Sequence, residues 1–243
     1  MKMGKAIYIG VTAILSLMSG FIASAEQSEV VSYGAYKEMI QQRKSEGVIE
    51  LQTAIPVTDS YAVGAIEHGR GEITVLDGRI YLDYGIDGMG QSAHTIPQSE
   101  QAVLLAVSQV EQWQSVTIEG AMNQEDLYME ILGLAMDADF DVDKPFPFLL
   151  EGNFDQLQIH VINERNPAFT GHGGREKFYH QHRELRTNQR ATVVGFYSAL
   201  QQGIYTHPGE SWHLHAVIEG EKIGAHVDRI VSGSNIRLKL PVR

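Results

Sequence analysis

Residues 212–227 read Trp-His-Leu-His-Ala-Val-Ile-Glu-Gly-Glu-Lys-Ile-Gly-Ala-His-Val, and this stretch predicts a β-hairpin. Side chains alternate between the two faces of a strand, so the apolar residues at 212, 214, 216 and 218 share one face while His213 and His215 share the other. A two-residue turn at Gly220 and Glu221 is predicted because glycine readily adopts the backbone conformation that such turns require. A hairpin centred there pairs apolar residues along one whole face, which sets its register.

That register brings three histidines together. His215 lies directly opposite His226, where paired Cβ atoms are roughly 5 Å apart, and His213 lies two positions further along the same face. Three imidazole nitrogens with an open fourth position are the ligand set of many catalytic zinc sites. Imidazole also binds manganese, iron, copper and nickel, and the alternative to a metal site is three unrelated histidines on a hairpin. The prediction is a metal site at His213, His215 and His226, with zinc as the expected ion and another divalent transition metal as the alternative.

The rest of the chain predicts an α+β fold in two domains. Residues 26–145 are expected to form a mixed β-sheet domain, and residues 146–243 a largely antiparallel sheet or barrel that carries the metal site. Strands are predicted at 61–67, 72–76, 79–84, 101–110, 115–118, 154–162, 191–200, 212–218, 223–231 and 235–240, and helices at 36–43 and 123–138. Asp77-Gly78 is typical of a tight hairpin turn. The polar residues 165–189 have no clear periodicity, which predicts a functional loop or a partly mobile segment.

The first 25 residues have the pattern of a removable export signal. Lys2 and Lys5 precede an apolar run at 6–23, and Ala-Ser-Ala at 23–25 supplies a cleavage site. An uncleaved membrane anchor is the alternative interpretation of this run. We expect a secreted or periplasmic protein whose residues 1–25 are removed as a signal peptide.

Charge and composition exclude several classes of protein. The 243 residues carry a formal charge of −11, and loss of the signal, which contains two lysines and no acid, makes this −13. Such a charge repels nucleic acid and anionic lipid, so we expect no nucleic-acid partner and no membrane attachment after signal cleavage. The chain has no cysteine, which excludes disulfides and thiolate metal ligands.

Several segments resemble the α-acetolactate decarboxylase family. Trp-His-Leu-His at 212–215 and Gly-Ala-His-Val-Asp at 224–228 are similar to the zinc-binding segment of that family. Gly-Glu-Ile at 71–73 with Leu-Asp-Gly at 76–78 and Tyr81 resembles its first-half motif, and Ala-Thr-Val-Val-Gly-Phe-Tyr at 191–197 resembles the strand before the hairpin. The resemblance implies a two-domain fold with mixed sheets, zinc held by the three histidines, and often a homodimer. It also implies decarboxylation of 2-acetolactate, or a related 2-hydroxy-3-keto acid, to acetoin.

The resemblance also implies two catalytic residues. By position, Glu72 looks like the glutamate of the first half, with a role in ordering the substrate hydroxyl or relaying a proton. Arg165 looks like the active-site arginine, with a role in substrate binding and protonation geometry. The alternative for both is a solvated surface charge, and Arg183 or Arg186 could supply the cation instead.

The chain departs from the family pattern in two places. Residues 64–66 read Gly-Ala-Ile where the family usually has Gly-Thr-Phe, so a hydroxyl is missing. No position matches the second active-site glutamate of the family, for which Glu67 or Asp228 could substitute. A non-catalytic metal or small-molecule binding protein on the same scaffold is therefore an alternative function. A cupin-like iron oxygenase is another, because His213 and His215 followed by Glu219 resemble the first motif of cupins.

Overall fold

The computed structural model describes residues 27–85, 92–169 and 177–243, in which a 3₁₀ helix covers Glu67–Gly69. Twelve strands, which form two sheets, and three α-helices make up the rest of the regular structure of these residues. They are β1 (Val31–Tyr33), α1 (Tyr36–Gln41), β2 (Ile49–Glu50), α2 (Leu51–Ala54), β3 (Ser60–Ile66), β4 (Glu72–Leu76), β5 (Arg79–Asp83), β6 (Gln101–Gln109), β7 (Trp113–Ile118), α3 (Gln124–Asp137), β8 (Phe146–Arg165), β9 (Tyr179–Tyr197), β10 (Trp212–Ile218), β11 (Gly224–Ser232) and β12 (Ile236–Pro241). The predicted signal peptide at 1–25 lies outside the described residues. Within those residues, no helix is both long and apolar enough to span a bilayer.

The first sheet has the strand order β1-β6-β3-β4-β5, with β2 paired to β6. All pairings between these strands are antiparallel, so the expectation of a mixed sheet is wrong in this detail. Parallel neighbours need a long crossover, whereas β3, β4 and β5 follow one another through short connections. Asp77 and Gly78 both have positive φ between β4 and β5, as the predicted tight turn requires.

The second sheet has the order β11-β10-β9-β8-β12-β7, and β11 also pairs with β8. Strands β8, β9, β10 and β11 therefore close into a ring, which we call the strand ring. The α+β class with an antiparallel barrel-like second part is confirmed. Strand β7 pairs with β12 although it precedes residue 145, so the sheets do not divide at the residue where the domain boundary is predicted.

Apolar side chains separate into three layers because alternate residues of each strand point to opposite faces. Inside the strand ring lie Phe148, Leu150, Val193 and Leu214, and helix α3 packs against this core. Between the ring and the first sheet lies a second core formed by residues of both sheets. The far face of the first sheet packs a third core against α2.

The histidine hairpin has the predicted register. His215 pairs with His226 and Ala216 with Ala225. The turn differs in detail, because the Glu221 amide donates to the Ile218 carbonyl and leaves a four-residue loop between the paired Ile218 and Ile223. Gly220 is then the third turn residue, with φ of 79°.

Strand β9 begins at Tyr179, so residues 179–189 of the segment predicted as a loop belong to a strand. Its ladder with β8 runs from Phe146 opposite Tyr197 to Arg165 opposite Tyr179. Backbone pairing holds this polar part of β9 in place, and such pairing leaves no apolar periodicity in the sequence. Residues 170–176 of the predicted loop lie outside the described residues.

Candidate metal centre

The centre lies between the two sheets, on the outer face of the strand ring. His215 pairs with His226, His226 with His160, and His160 with Arg183. Directly paired residues project from the same face, so these four form one row across β10, β11, β8 and β9. Strands β4 and β5 of the first sheet pack over β10 and β11. At Gly224 a Cβ would lie 2.7 Å from the Cβ of Tyr81, so the absent side chain allows this close approach.

The three histidines of the predicted site converge. The ring centroids of His213 and His215 are 5.0 Å apart, those of His213 and His226 are 5.2 Å apart, and those of His215 and His226 are 5.5 Å apart. The Nε2 atoms of His213 and His215 are 3.2 Å apart. Nitrogens bound to one zinc ion at about 2.0–2.1 Å would be separated by a similar distance. The geometry therefore brings the trio together, and its role as a ligand set stays a prediction.

These imidazoles are held neutral. Burial lowers the pKa of His213 to about 3, and burial together with neighbouring histidines lowers the pKa of His215 and His226 well below the usual value. A neutral imidazole offers the nitrogen lone pair that a metal requires. The buried Nδ1 atom of His226 has no hydrogen-bond partner among the described residues. A buried polar atom without a partner calls for an explanation, and a bound cation is one that fits this donor set.

Thr74 orients one of the rings. Its Oγ1 lies 2.8 Å from Nδ1 of His215. In the tautomer with a proton on Nδ1, the hydroxyl accepts a hydrogen bond and Nε2 keeps its lone pair. Hydrogen bonds to the second nitrogen commonly fix metal-binding histidines in this way.

Glu72 faces the cluster from the first sheet. The strand places Ile73 and Val75 in the far core, so Glu72 and Thr74 point between the sheets. The Glu72 carboxyl is buried, lies 3.8 Å from Nε2 of both His160 and His215, and accepts a hydrogen bond from an amide of β8. Burial raises its pKa to about 7, although His160 and the amide act in the opposite direction. The predicted Glu72 thus lies within the site.

Arg165 lies at the edge of this region. It is exposed at the end of β8 and is not among the residues that line the pocket. Its charge lowers the pKa of the buried Tyr179, a pocket residue whose pKa burial raises overall to about 12. The alternative cation Arg183 does line the pocket, and its Nε donates to Gln181. A register shift between Ile162 and Arg165 separates the strand end from the row of paired residues.

The other two alternatives lie elsewhere. Arg186 forms ion pairs with Glu184 and Glu221 on the outside of the β8–β9 hairpin. Glu67, offered as a substitute acid, pairs with Arg70 at 3.3 Å. Neither Arg186 nor Glu67 is among the described residues that line the pocket.

His160 is the residue that the sequence interpretation missed. It lies beside His226 with ring centroids 4.6 Å apart, and its Nδ1 is 2.9 Å from Oδ1 of Asp228. Ligand atoms of His160, His226 and Asp228 all lie within 4.8 Å of one another, so these residues are a second possible metal-binding group. His160 is one of several polar residues in the segment 155–163, so only its residue type distinguishes it in the sequence. The pairing of β8 with β11 places His160 beside His226, and this pairing could not be predicted from the sequence.

The pocket above the histidines has a polar and an apolar side. Its empty volume is about 640 Å³ including the mouth that opens to solvent. The apolar side comprises Met39 and Ile40 of α1, Leu104 of β6 and Ile162 of β8. Ala65, one of the departures from the family pattern, also lines it, so the missing hydroxyl concerns the pocket itself. This division suits a small molecule with one charged and one alkyl part.

Comparisons with known proteins agree on one family. The family model described as alpha-acetolactate decarboxylase matches residues 45–242. The α-acetolactate decarboxylase of Bacillus subtilis strain 168 is 19% identical with a TM-score of 0.69, over 87% of this chain and 84% of that one. The acetolactate decarboxylase of Bacillus subtilis subspecies spizizenii is 18% identical with a TM-score of 0.68, over 87% and 85%.

A third solved structure, from Staphylococcus aureus, is described as a protein of unknown function similar to α-acetolactate decarboxylase. It is 14% identical with a TM-score of 0.63, over 86% of this chain and 84% of that one. At these identities the three structures establish a shared fold. No curated protein sequence matches the chain.

Proposed function

Because this chain belongs to the α-acetolactate decarboxylase family, we propose that it decarboxylates 2-acetolactate, or a related 2-hydroxy-3-keto acid, to acetoin. The observation that carries the proposal is the convergence of three neutral histidines and one buried carboxyl group on one pocket. In the reaction the bond to the carboxylate breaks, CO₂ leaves with its two oxygens, and the electron pair remains on the substrate. One proton then completes acetoin.

His213, His215 and His226 are the residues that would hold the metal, and zinc is the ion that we propose. When bound, a divalent cation supplies Lewis-acid stabilisation of the charge that develops on the hydroxyl and keto oxygens. The protein contributes neutral nitrogen donors in a dry setting and fixes one of them through Thr74. A dry site strengthens such electrostatic effects because water no longer screens them.

Glu72 is placed to move the proton. Its two carboxyl oxygens face His160 and His215 across 3.8 Å, so both point into the cluster. A carboxyl group there can accept a hydrogen bond from the substrate hydroxyl and hold a proton at Oε1 or Oε2. The hydrogen bond from the Ile162 amide to Oε1 fixes the direction of the group.

We assign the substrate carboxylate to Arg183, which lines the pocket while Arg165 does not. A guanidinium group can bind a carboxylate through two parallel hydrogen bonds. The apolar wall of Met39, Ile40 and Leu104 would take the alkyl groups of the substrate. The role first predicted for Arg165 stays a prediction that the experiments below address.

Export and assembly are also proposals. We propose that the chain is cleaved after Ala25, is secreted or periplasmic, acts without nucleic-acid or membrane partners, and forms a homodimer as the family often does. The mass of the mature protein tests the cleavage, with Glu26 as the expected first residue. Light scattering on the purified protein tests the dimer.

A colorimetric acetoin assay on the purified protein, beside elemental analysis of the same sample, tests the function. We expect acetoin from acetolactate and one equivalent of a divalent metal. Bound metal without turnover would favour the non-catalytic binding function, which the missing hydroxyl at Ala65 in the pocket supports. Oxygen consumption that depends on iron would favour a cupin-like oxygenase.

A further inference from the structure

A β-bulge at Asp228 gives the centre an additional carboxylate. The pairing of β11 with β8 shifts register between Val227 and Arg229, so Asp228 is the extra residue. Bulges often re-aim a side chain near a functional site. Here the carboxylate lies 2.9 Å from Nδ1 of His160 and 3.7 Å from Nδ1 of His226.

The two imidazole nitrogens beside this carboxylate have no well-directed hydrogen bond to any of the described residues. Nδ1 of His160 is buried and, despite the short distance to Asp228, has no hydrogen-bond partner within the described part of the chain. The same holds for Nδ1 of His226. One ligand atom of each of His160, His226 and Asp228 lies within 4.8 Å of the other two, which is close enough for all three residues to bind a common cation.

We propose that His160, His226 and Asp228 form a mixed-donor site for a divalent cation, which shares His226 with the three-histidine site. The inference rests on the proposed metal site only through that shared residue and does not require turnover. Two imidazoles with one carboxylate favour manganese or ferrous iron more than three imidazoles do, because carboxylate is the harder ligand.

The two sites compete for one ion. Glu72 and Asp228 are the carboxyl groups that line the pocket among the described residues, and Arg183 lines it as a cation, so a single dication already more than balances the net negative charge. A second dication would leave an uncompensated positive charge in a buried region, which is costly. The ligand preference of the ion therefore decides which site it occupies. Zinc binds to the three histidines, and manganese binds to the mixed-donor site.

Metal binding to the metal-free full-length mature protein tests this inference without substrate. Mn²⁺ binding is followed by the electron paramagnetic resonance signal of the free ion, and Zn²⁺ binding by competition with a coloured chelator. The quantity compared is the ratio of the Mn²⁺ dissociation constant to the Zn²⁺ dissociation constant. We expect Asp228→Asn and His160→Gln each to raise this ratio at least about tenfold, and His213→Gln to lower it by a similar factor. Zn²⁺ should displace bound Mn²⁺ one for one.

Asp155→Asn is the matched control, since it removes an exposed carboxylate from β8 outside the pocket and should leave the ratio unchanged. An unchanged ratio in either Asp228→Asn or His160→Gln overturns the inference, whatever happens to the absolute affinities. Thermal unfolding followed by circular dichroism identifies a variant that does not fold. If His160→Gln does not fold, the metal-binding ratio of the nearly isosteric Asp228→Asn variant alone tests the inference. Failure of the acetoin assay would leave the ratios intact, so the two proposals fail separately.

Discussion

The inner and outer faces of the strand ring are made by the same strands but serve different purposes. In β10, Leu214 and Ala216 point into an apolar core, whereas His213 and His215 point out toward the first sheet. Both faces are buried, the inner one by the ring itself and the outer one by another sheet. Burial on the inner face contributes stability, while burial on the outer face keeps polar groups dry and neutral for chemistry.

Removal of the metal should show the largest difference between the two faces, because activity should be lost while the fold is retained. We expect dialysis against a chelator to abolish acetoin formation while the fold is retained, because the inner core does not involve the ion. His213→Ala should likewise lose activity by about 1,000-fold or more, on the scale of removing a catalytic group. Activity and circular dichroism of the same samples test this, and activity should return on adding Zn²⁺. Full activity without metal would contradict it.

Glu72→Gln should leave the metal in place and reduce turnover. The variant keeps the shape of the side chain but cannot exchange a proton at Oε1, so a loss of about 100- to 10,000-fold in kcat is expected. Elemental analysis should still find one equivalent of metal. Thr74→Val is the matched comparison on the same strand, with weaker metal binding as its main expected effect. Unchanged kcat in Glu72→Gln would remove this residue from the mechanism.

Leu214→Ala should affect the inner face alone. Truncation of a leucine that is 2% exposed should cost about 2–5 kcal/mol in the free energy of unfolding, because it leaves a cavity. Specific activity per folded molecule should stay within about threefold of the wild type, since the neighbouring histidines project from the other face. Urea unfolding and the acetoin assay measure the two effects. A large loss of activity at full folding would indicate that the faces are coupled.

Variants of Arg183 and Arg165 test which of the two arginines on the outer face binds the substrate. Arg183→Ala should raise KM or lower kcat/KM about tenfold, or roughly 1.4 kcal/mol, because its guanidinium lines the pocket. Arg165→Ala should change kcat/KM by less than about threefold, the small effect expected of an exposed charge. Steady-state kinetics on both variants show which arginine binds the substrate carboxylate. The reverse order would restore Arg165 as the substrate-binding residue.

Local patterns predicted the hairpin well. Alternation in 212–218 and the spacing to His226 were enough to place the three histidines together, and Asp77-Gly78 was enough to place a tight turn. Helix α3 was also predicted, because Leu127 and Ile131 repeat at helical spacing, and the structure adds that Asn123 caps its first turn. These features depend on residues that are close in the chain.

Long-range pairing is what the sequence could not provide. The start of β9 at Tyr179 was missed since its polar residues follow the ladder of β8 and carry no periodicity of their own. His160 was missed because its place in the site depends on the pairing of β8 with β11, which joins it to His226, more than 60 residues away in the chain. The position of Arg165 outside the pocket depends on the register shift between Ile162 and Arg165, which no residue type in this segment predicts.

The sequence by itself determined which residues share a face, because strand alternation and turn chemistry act between near neighbours. It thereby predicted the family, the histidine trio and the positions of most strands along the chain. Only the tertiary structure decided that the first sheet covers the outer face of the ring, that Glu72 reaches His215, and that Asp228 meets His160. These contacts come from backbone ladders between distant segments and from the packing of two sheets, and both depend on the whole chain.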